Sequence, residues 1–305
     1  MANTINNSEM RFDLILETAE GETPATGNRL DLPCTTDQGP LNYTRARVTD
    51  DTRRANRETA APTYGASAVD GSISANMRPC DALDVLIQSA ISGKFDGSGK
   101  ATAGENDLSF SMFTTLRTNG SYLGYLDKGL QVSKMTITNA ATSDDSVKVS
   151  FDVMGLKRQE LTTANTLPVT AATEKAFNYI DIGNLKIGDE AMEFTDLSFE
   201  TGTPRGARKV FGKKDAVGMA ATANRETTLT VKAFRQDFNI NALVLNPVPV
   251  VFYMVNDDGG YRVTLNHAKA TVPTDELNDT GLLVNIQFTA HAPDNNTPAL
   301  VIEKL

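Results

Sequence analysis

Residues 147–155 read Val-Lys-Val-Ser-Phe-Asp-Val-Met-Gly, with Val147, Val149, Phe151 and Val153 set against Lys148, Ser150, Asp152 and Met154. A period of two sends successive side chains to opposite faces, so this is a strand with its apolar face on a core. Gly155 closes the run. The alternation returns at Leu282, Val284, Ile286 and Phe288 against Leu283, Asn285, Gln287 and Thr289, and at Tyr261, Val263 and Leu265 against Arg262 and Thr264. Shorter runs occur at 11–16, 72–77, 107–116, 192–200 and 227–234, bounded by Gly, Asn, Asp and Pro. The chain therefore reads as mainly β, each strand keeping one face for solvent or a partner.

One segment, 79–92, has a helical period. Leu83, Leu86, Ile87, Ala90 and Ile91 fall on a single stripe, Pro79 suits the first turn and Gly93 the position after the last. The stripe predicts a helix covering an edge or face of a sheet. Residues 93–106, with Gly93, Gly97, Gly99 and Gly104, read as a flexible loop, and 162–173, rich in Thr and Ala, as an interdomain linker.

Composition narrows the function classes. With 305 residues, 40% hydrophobic and 22% charged, the chain can bury a sizeable core. No run approaches the roughly 20 apolar residues of a spanning helix. The first ten residues lack a basic and then apolar leader, which reads as a protein made in a cytoplasm. A net charge of −9 argues against tight binding to nucleic acid, though not against a wall that DNA passes without sticking. Groups that carry chemistry are sparse. Cys34 and Cys80 are far apart and read as buried or inert thiols; His267 falls in a strand and His291 at a strand end, both as structural residues; tryptophan is absent. No nucleophile, phosphate-loop or metal motif stands in a suitable context, so neither catalysis, cofactor nor metal is expected.

The two sides of the linker share an ordered pattern. Each opens with a strand leading to a basic, turn-rich loop: Arg45, Arg47, Arg53, Arg54 and Arg57 in one, Arg205, Arg208, Lys209, Lys213 and Lys214 in the other. A polar-apolar strand follows (71–77; 228–234), then a helix at 79–92 or a helix-like piece at 237–245. Each half closes with a hairpin at an acidic turn, Ser143-Asp144-Asp145 or Asp275-Glu276. The pattern is what duplication followed by loop divergence leaves.

These residues carry a resemblance. The opening "MRFDLILETAEGETP" at 10–24, the run Val69-Asp70-Gly71-Ser72-Ile73 followed by "RPCDALDVLIQSAISGKF", the strand pairs at 108–113 and 129–139, and "LKIGDEAMEFTDLSFE" at 185–200 resemble the larger, duplicated major tail tube proteins of long-tailed bacteriophages. The specificity lies in the order of the motifs, which covers nearly the whole chain.

The resemblance implies two tandem β-sandwich or barrel-like domains, 1–161 with helix 79–92 and 174–305, each with a flanking helix and joined by the linker 162–173. It implies strand pairing between subunits into an inner barrel, a trimeric ring of pseudo-sixfold symmetry, and rings stacked into a tube through which double-stranded DNA leaves the virion without specific binding. Partners would be the chain itself and the terminator, distal tail and tape-measure proteins, with assembly in the host cytoplasm. The two basic loops are candidate inter-ring contacts, meeting acidic surfaces such as Asp144 and Asp145 on the next ring. The competing readings are a capsid decoration protein, a receptor-binding fibre, a sugar-binding sandwich or the inner tube of a contractile secretion device.

Overall fold

The structure, a computed structural model, describes residues 9–305 except 50–51, 53–57, 59–60, 118–121, 142–144, 189, 236–243 and 279–280. Strands β1 (Arg11–Leu16), β2 (Arg29–Asp31), β3 (Asn42–Val48) and β4 (Thr63–Asn76) precede helix α1 (Asp81–Ile91). Then come β5 (Lys100–Thr102), β6 (Phe110–Arg117), β7 (Leu123–Ala140), β8 (Lys148–Gly155), β9 (Lys157–Leu161) and β10 (Val169–Thr170). After a 3-10 turn at Tyr179–Asp181 follow β11 (Ile182–Ile187), β12 (Glu190–Ala191), β13 (Phe194–Gly202), β14 (Arg205–Arg208), β15 (Gly218–Ala221) and β16 (Glu226–Phe234). The chain continues with β17 (Val248–Asn256), β18 (Gly259–Ala270), β19 (Thr274–Asn278), β20 (Gly281–Ala290) and β21 (Leu300–Lys304).

A central antiparallel sheet runs in the order β3-β4-β8-β7-β13-β16-β20-β19. Two outer sets are joined to it. One is β9-β7-β6-β1-β2, with β10 parallel to β2; the other is β21-β18-β17-β11-β12. The two halves thus pair their strands in the same order, except that β7 enters both sets alone while β18 and β19 divide that part. A long strand must bend to do this, and β7 shifts register between Val132 and Lys134. Gly129 precedes the shift at φ 66°, a left-handed conformation that suits glycine, and a Cβ there would lie 2.6 Å from Leu156.

The alternating runs form strands as their period requires. In β8, Val149, Phe151 and Val153 are buried while Lys148 and Asp152 are exposed, and in β20 Val284, Ile286 and Phe288 are fully buried. One hydrophobic cluster takes residues from both halves, so the core is continuous across the middle of the chain. Phe199 and Phe252 meet edge-on at 5.8 Å, and Phe177 meets Tyr261 at 6.2 Å.

Helix α1 is shorter than 79–92. Cys80 is its N-cap, without a side-chain bond, and Ser92 takes the left-handed cap conformation expected of a following glycine. The predicted stripe is buried, but so are Asp84, Val85 and Ser89, so the helix is enclosed on nearly all sides. It packs against β7 and β13, one strand from each half. The Asp84 carboxylate accepts hydrogen bonds from the Tyr261 hydroxyl, at 2.7 Å, and from the Lys304 ammonium. Burial pushes the Asp84 carboxyl above its ordinary value, against the pull of Lys304 and Tyr261.

Several expectations shift. Residues 93–106 are not all loop, because β5 lies within them and pairs with β21, which also pairs with β18. The segment 162–173 is fastened to the first half: β10 lies beside β2, and Arg29 donates to the Leu167 carbonyl from Nη2 at 3.0 Å. Asp275 and Glu276 sit inside β19 rather than at its turn. Most of the helix-like piece 237–245 lies outside the described residues. Cys34 and Cys80 are free thiols, pushed up to about 12 and about 11 mainly by burial.

The first half contains a two-pronged buried ion pair. Arg158 on β9 donates to Asp127 on β7 from Nε at 2.7 Å and Nη2 at 2.8 Å, its guanidinium lies 4.4 Å from the Tyr125 ring, and the Asp127 side chain has no exposure. Asp127→Ala leaves the guanidinium buried without its carboxylate, and we expect a loss of about 3 kcal/mol in a guanidinium chloride melt. The paired Asp127→Leu/Arg158→Met variant should recover much of it. An unchanged midpoint for Asp127→Ala would contradict this account.

Candidate assembly surfaces

The central sheet exposes two edges. Among the described residues β3 pairs only with β4, and β19 only with β20, so each keeps one row of backbone groups without a strand partner. Both margins carry exposed apolar side chains, Val48 on one and Leu277, 81% exposed, on the other.

Register assigns the face of this sheet turned away from the core. Directly opposed residues share a face. One row across the strands reads Asn76, Lys148, Thr138, Ser198, Thr230 and Gln287. The next reads Ser74, Ser150, Thr136, Glu200, Thr228 and Thr289. Every position is a hydroxyl, amide or charged side chain. Three lysines of this face have carboxylate partners: Lys134 with Glu200 at 2.9 Å, Lys232 with Glu276 at 2.9 Å, and Lys148 with Asp145 at 3.3 Å; Lys269, opposite Thr289, is exposed with no bridge to a described carboxylate. The bonded Glu276 carboxylate holds the Lys232 ammonium above its ordinary value. Asp70, Asp152 and Asp196 add negative charge with no described cation bridged to them, so the face is acidic on balance.

The two ends of the sheet differ in charge. At one end β13 passes through Gly202 into the β14–β15 hairpin, which lies beside β4 because the Ser67 amide donates to the Lys214 carbonyl at 3.0 Å. Arg208, Lys209, Lys213 and Lys214 are exposed on the hairpin and its loop, and Arg45 and Arg47 are exposed on β3 rather than in a loop. Arg53, Arg54 and Arg57 lie outside the described residues. The opposite end, where β7 and β16 finish and β8 and β13 begin, carries Asp145, Asp196, Asp275 and Glu276, with Glu190 and Glu193 nearby; Asp144 lies outside the described residues. Asp275 accepts from Arg235 Nε at 2.7 Å.

Arg205 belongs to neither surface. Its side chain is fully buried, with Nη1 2.7 Å from Asp107 and Nη2 donating to Ser92 Oγ at 2.9 Å. It sets a cation beside the C-terminal end of α1, whose last turn has no basic residue of its own. Arg225 donates to the Gly104 carbonyl at 2.8 Å, and burial followed by the neighbouring Arg205 charge lowers its affinity for the proton.

Two features lay beyond the sequence reading. The hairpin loop lifts Val210 and Phe211 into solvent among its lysines, Phe211 at 108% of the reference exposure. At the acidic end a cleft of about 240 Å3 opens between Ala140, Tyr179, Ile182, Met192, Phe194 and Leu197. The clue to the first was an apolar pair inside a cationic run, Lys209 to Lys214; the second joins segments far apart in sequence.

Among the described residues no group of three or more His, Cys, Asp or Glu side chains is placed to hold a metal ion, and no helix is long and apolar enough to cross a membrane. No curated protein matches the chain. The model of the family described as "Phage tail tube protein" matches residues 8–297. The chain belongs to the phage tail tube protein family.

Proposed function

We propose that this chain polymerises into stacked rings that form the hollow tube of a phage tail, the conduit for the genome. The observation that carries this reading is the central sheet, in which the order β3-β4-β8-β7 is followed by the matching order β13-β16-β20-β19. That recurrence supports a tandem duplication with the halves at 1–161 and 174–305. Where the first four strands meet the second four, β7 and β13 pair antiparallel. The β19 edge of one copy and the β3 edge of the next have the same relation and the same directions, so the internal seam is a template for the contact between subunits. Repeating a heterologous contact of this kind closes a ring when the rotation fits. Two matching halves per chain make that ring a trimer with pseudo-sixfold symmetry.

In this reading the polar face lines the lumen. Its hydroxyls and amides present no basic track, three of its four lysines are occupied by carboxylates and its carboxylates outnumber its cations, so phosphate finds an acidic wall and slides. Rings stack with the basic end of one against the acidic end of the next. Arg45, Arg47, Arg53, Arg54, Arg57, Arg208, Lys209, Lys213 and Lys214 face Asp144, Asp145 and their neighbours across the junction. Terminator, distal tail and tape-measure proteins would meet the ends and lumen of this tube, assembled in the host cytoplasm.

Two outcomes test the reading. Reversing Arg53, Arg54 and Arg57 to Glu should leave a folded subunit that closes rings but makes short tubes or none, and wild-type growth should weaken as salt shortens the screening length to a few ångströms. Normal-length tubes from that variant, in negative-stain images, would remove the charge contact. Leu277→Lys, on the β19 margin, should keep the wild-type melting temperature yet abolish closed rings, because an outward charge blocks strand addition. Rings of ordinary diameter from Leu277→Lys would falsify edge pairing.

A further inference from the structure

We infer that Phe211, with Val210 beside it, is an axial knob that seats in the apolar cleft at the opposite end of a second copy of this chain in the next ring. The inference rests on the tube reading and adds to the charge contact a specific anchor. A phenylalanine exposed as fully as in an extended peptide gains nothing for the subunit that carries it. The turn that presents it is nevertheless built: the Val217 amide donates to the Arg208 carbonyl at 2.9 Å, and Gly212 takes φ 76° directly after the aromatic. The hairpin is anchored at its base, where Met219 and Ala216 pack with Leu156, and the Met219 amide donates to Glu20 at 2.7 Å. A mere solubilising loop needs neither the anchor nor the aromatic tip.

The cleft matches the knob in position, size and charge. It lies at the start of β13, whereas the hairpin leaves from the end of the same strand, so a head-to-tail stack brings one to the other. Its volume of about 240 Å3 is the scale of one aromatic side chain, and its lining is mainly apolar, with Asn139, Glu193 and Thr195 as the polar members. Glu193 lines it, and Asp181 and Asp196 adjoin its lining residues Ile182, Thr195 and Leu197 along the chain, opposite in sign to Lys209, Lys213 and Lys214 around the knob. Because the two surfaces are different, each copy offers one knob and one cleft, and the contact propagates without closing on itself.

The test uses the full chain. Phe211→Ala should form rings at the wild-type concentration but raise the concentration needed for tube growth at least tenfold, read by sedimentation and negative stain. In tubes of a Phe211→Cys/Tyr179→Cys variant, grown above that raised concentration, mild oxidation should give a ladder of disulfide-linked chains that neither single variant gives. Phe211→Ala tubes growing at the wild-type concentration, or a double variant without a ladder, would overturn the knob while leaving the tube reading intact. Wild-type protein that yields neither rings nor tubes would overturn both.

Discussion

The pairing of β7 with β13 governs this molecule. Six residue pairs, from Asp196 with Ala140 to Thr201 with Met135, join the halves into one sheet. Backbone donors and acceptors on a strand margin need partners, and the seam supplies them at the two margins that the halves would otherwise expose side by side. It also aligns their polar rows into one face and gives α1 a place against both strands. Without it neither the enclosed helix nor the shared core could exist in this form.

Strand positions were largely legible because the burial period is two and most strands have one buried face. The run at 147–155 is β8 almost residue for residue, and 282–289 lies within β20. The helix was legible for the same reason at its own period. What the stripe could not give was the burial of Asp84, since a carboxylate on the polar side of an amphipathic pattern reads as solvated. Its partners are Tyr261 and Lys304, far along the chain.

The same limit explains the basic residues. Arg205 stands in a cationic, turn-rich run and reads as exposed, yet its ion pair with Asp107 and its bond to Ser92 hold it inside. Asp275 and Glu276 read as a turn because adjacent acids disfavour a strand, but Arg235 and Lys232 lie close enough to neutralise them. Charge in a sequence gives sign and density; whether it faces water depends on partners that only the fold brings near. Of the candidate contacts, Arg45, Arg47, Asp145, Arg208 and the three lysines of the hairpin loop are on the surface, whereas the full exposure of Phe211 among those lysines shows only in the folded chain.

The link between Asp84 and Lys304 spans 220 residues. During translation, the helix therefore leaves the ribosome long before the ammonium that its carboxylate requires. Until then the helix holds an uncompensated charge at a site destined for the interior, and contacts of such long range close slowly. A nascent polypeptide therefore lacks the cation that Asp84 meets in the finished interior until β21 has been made.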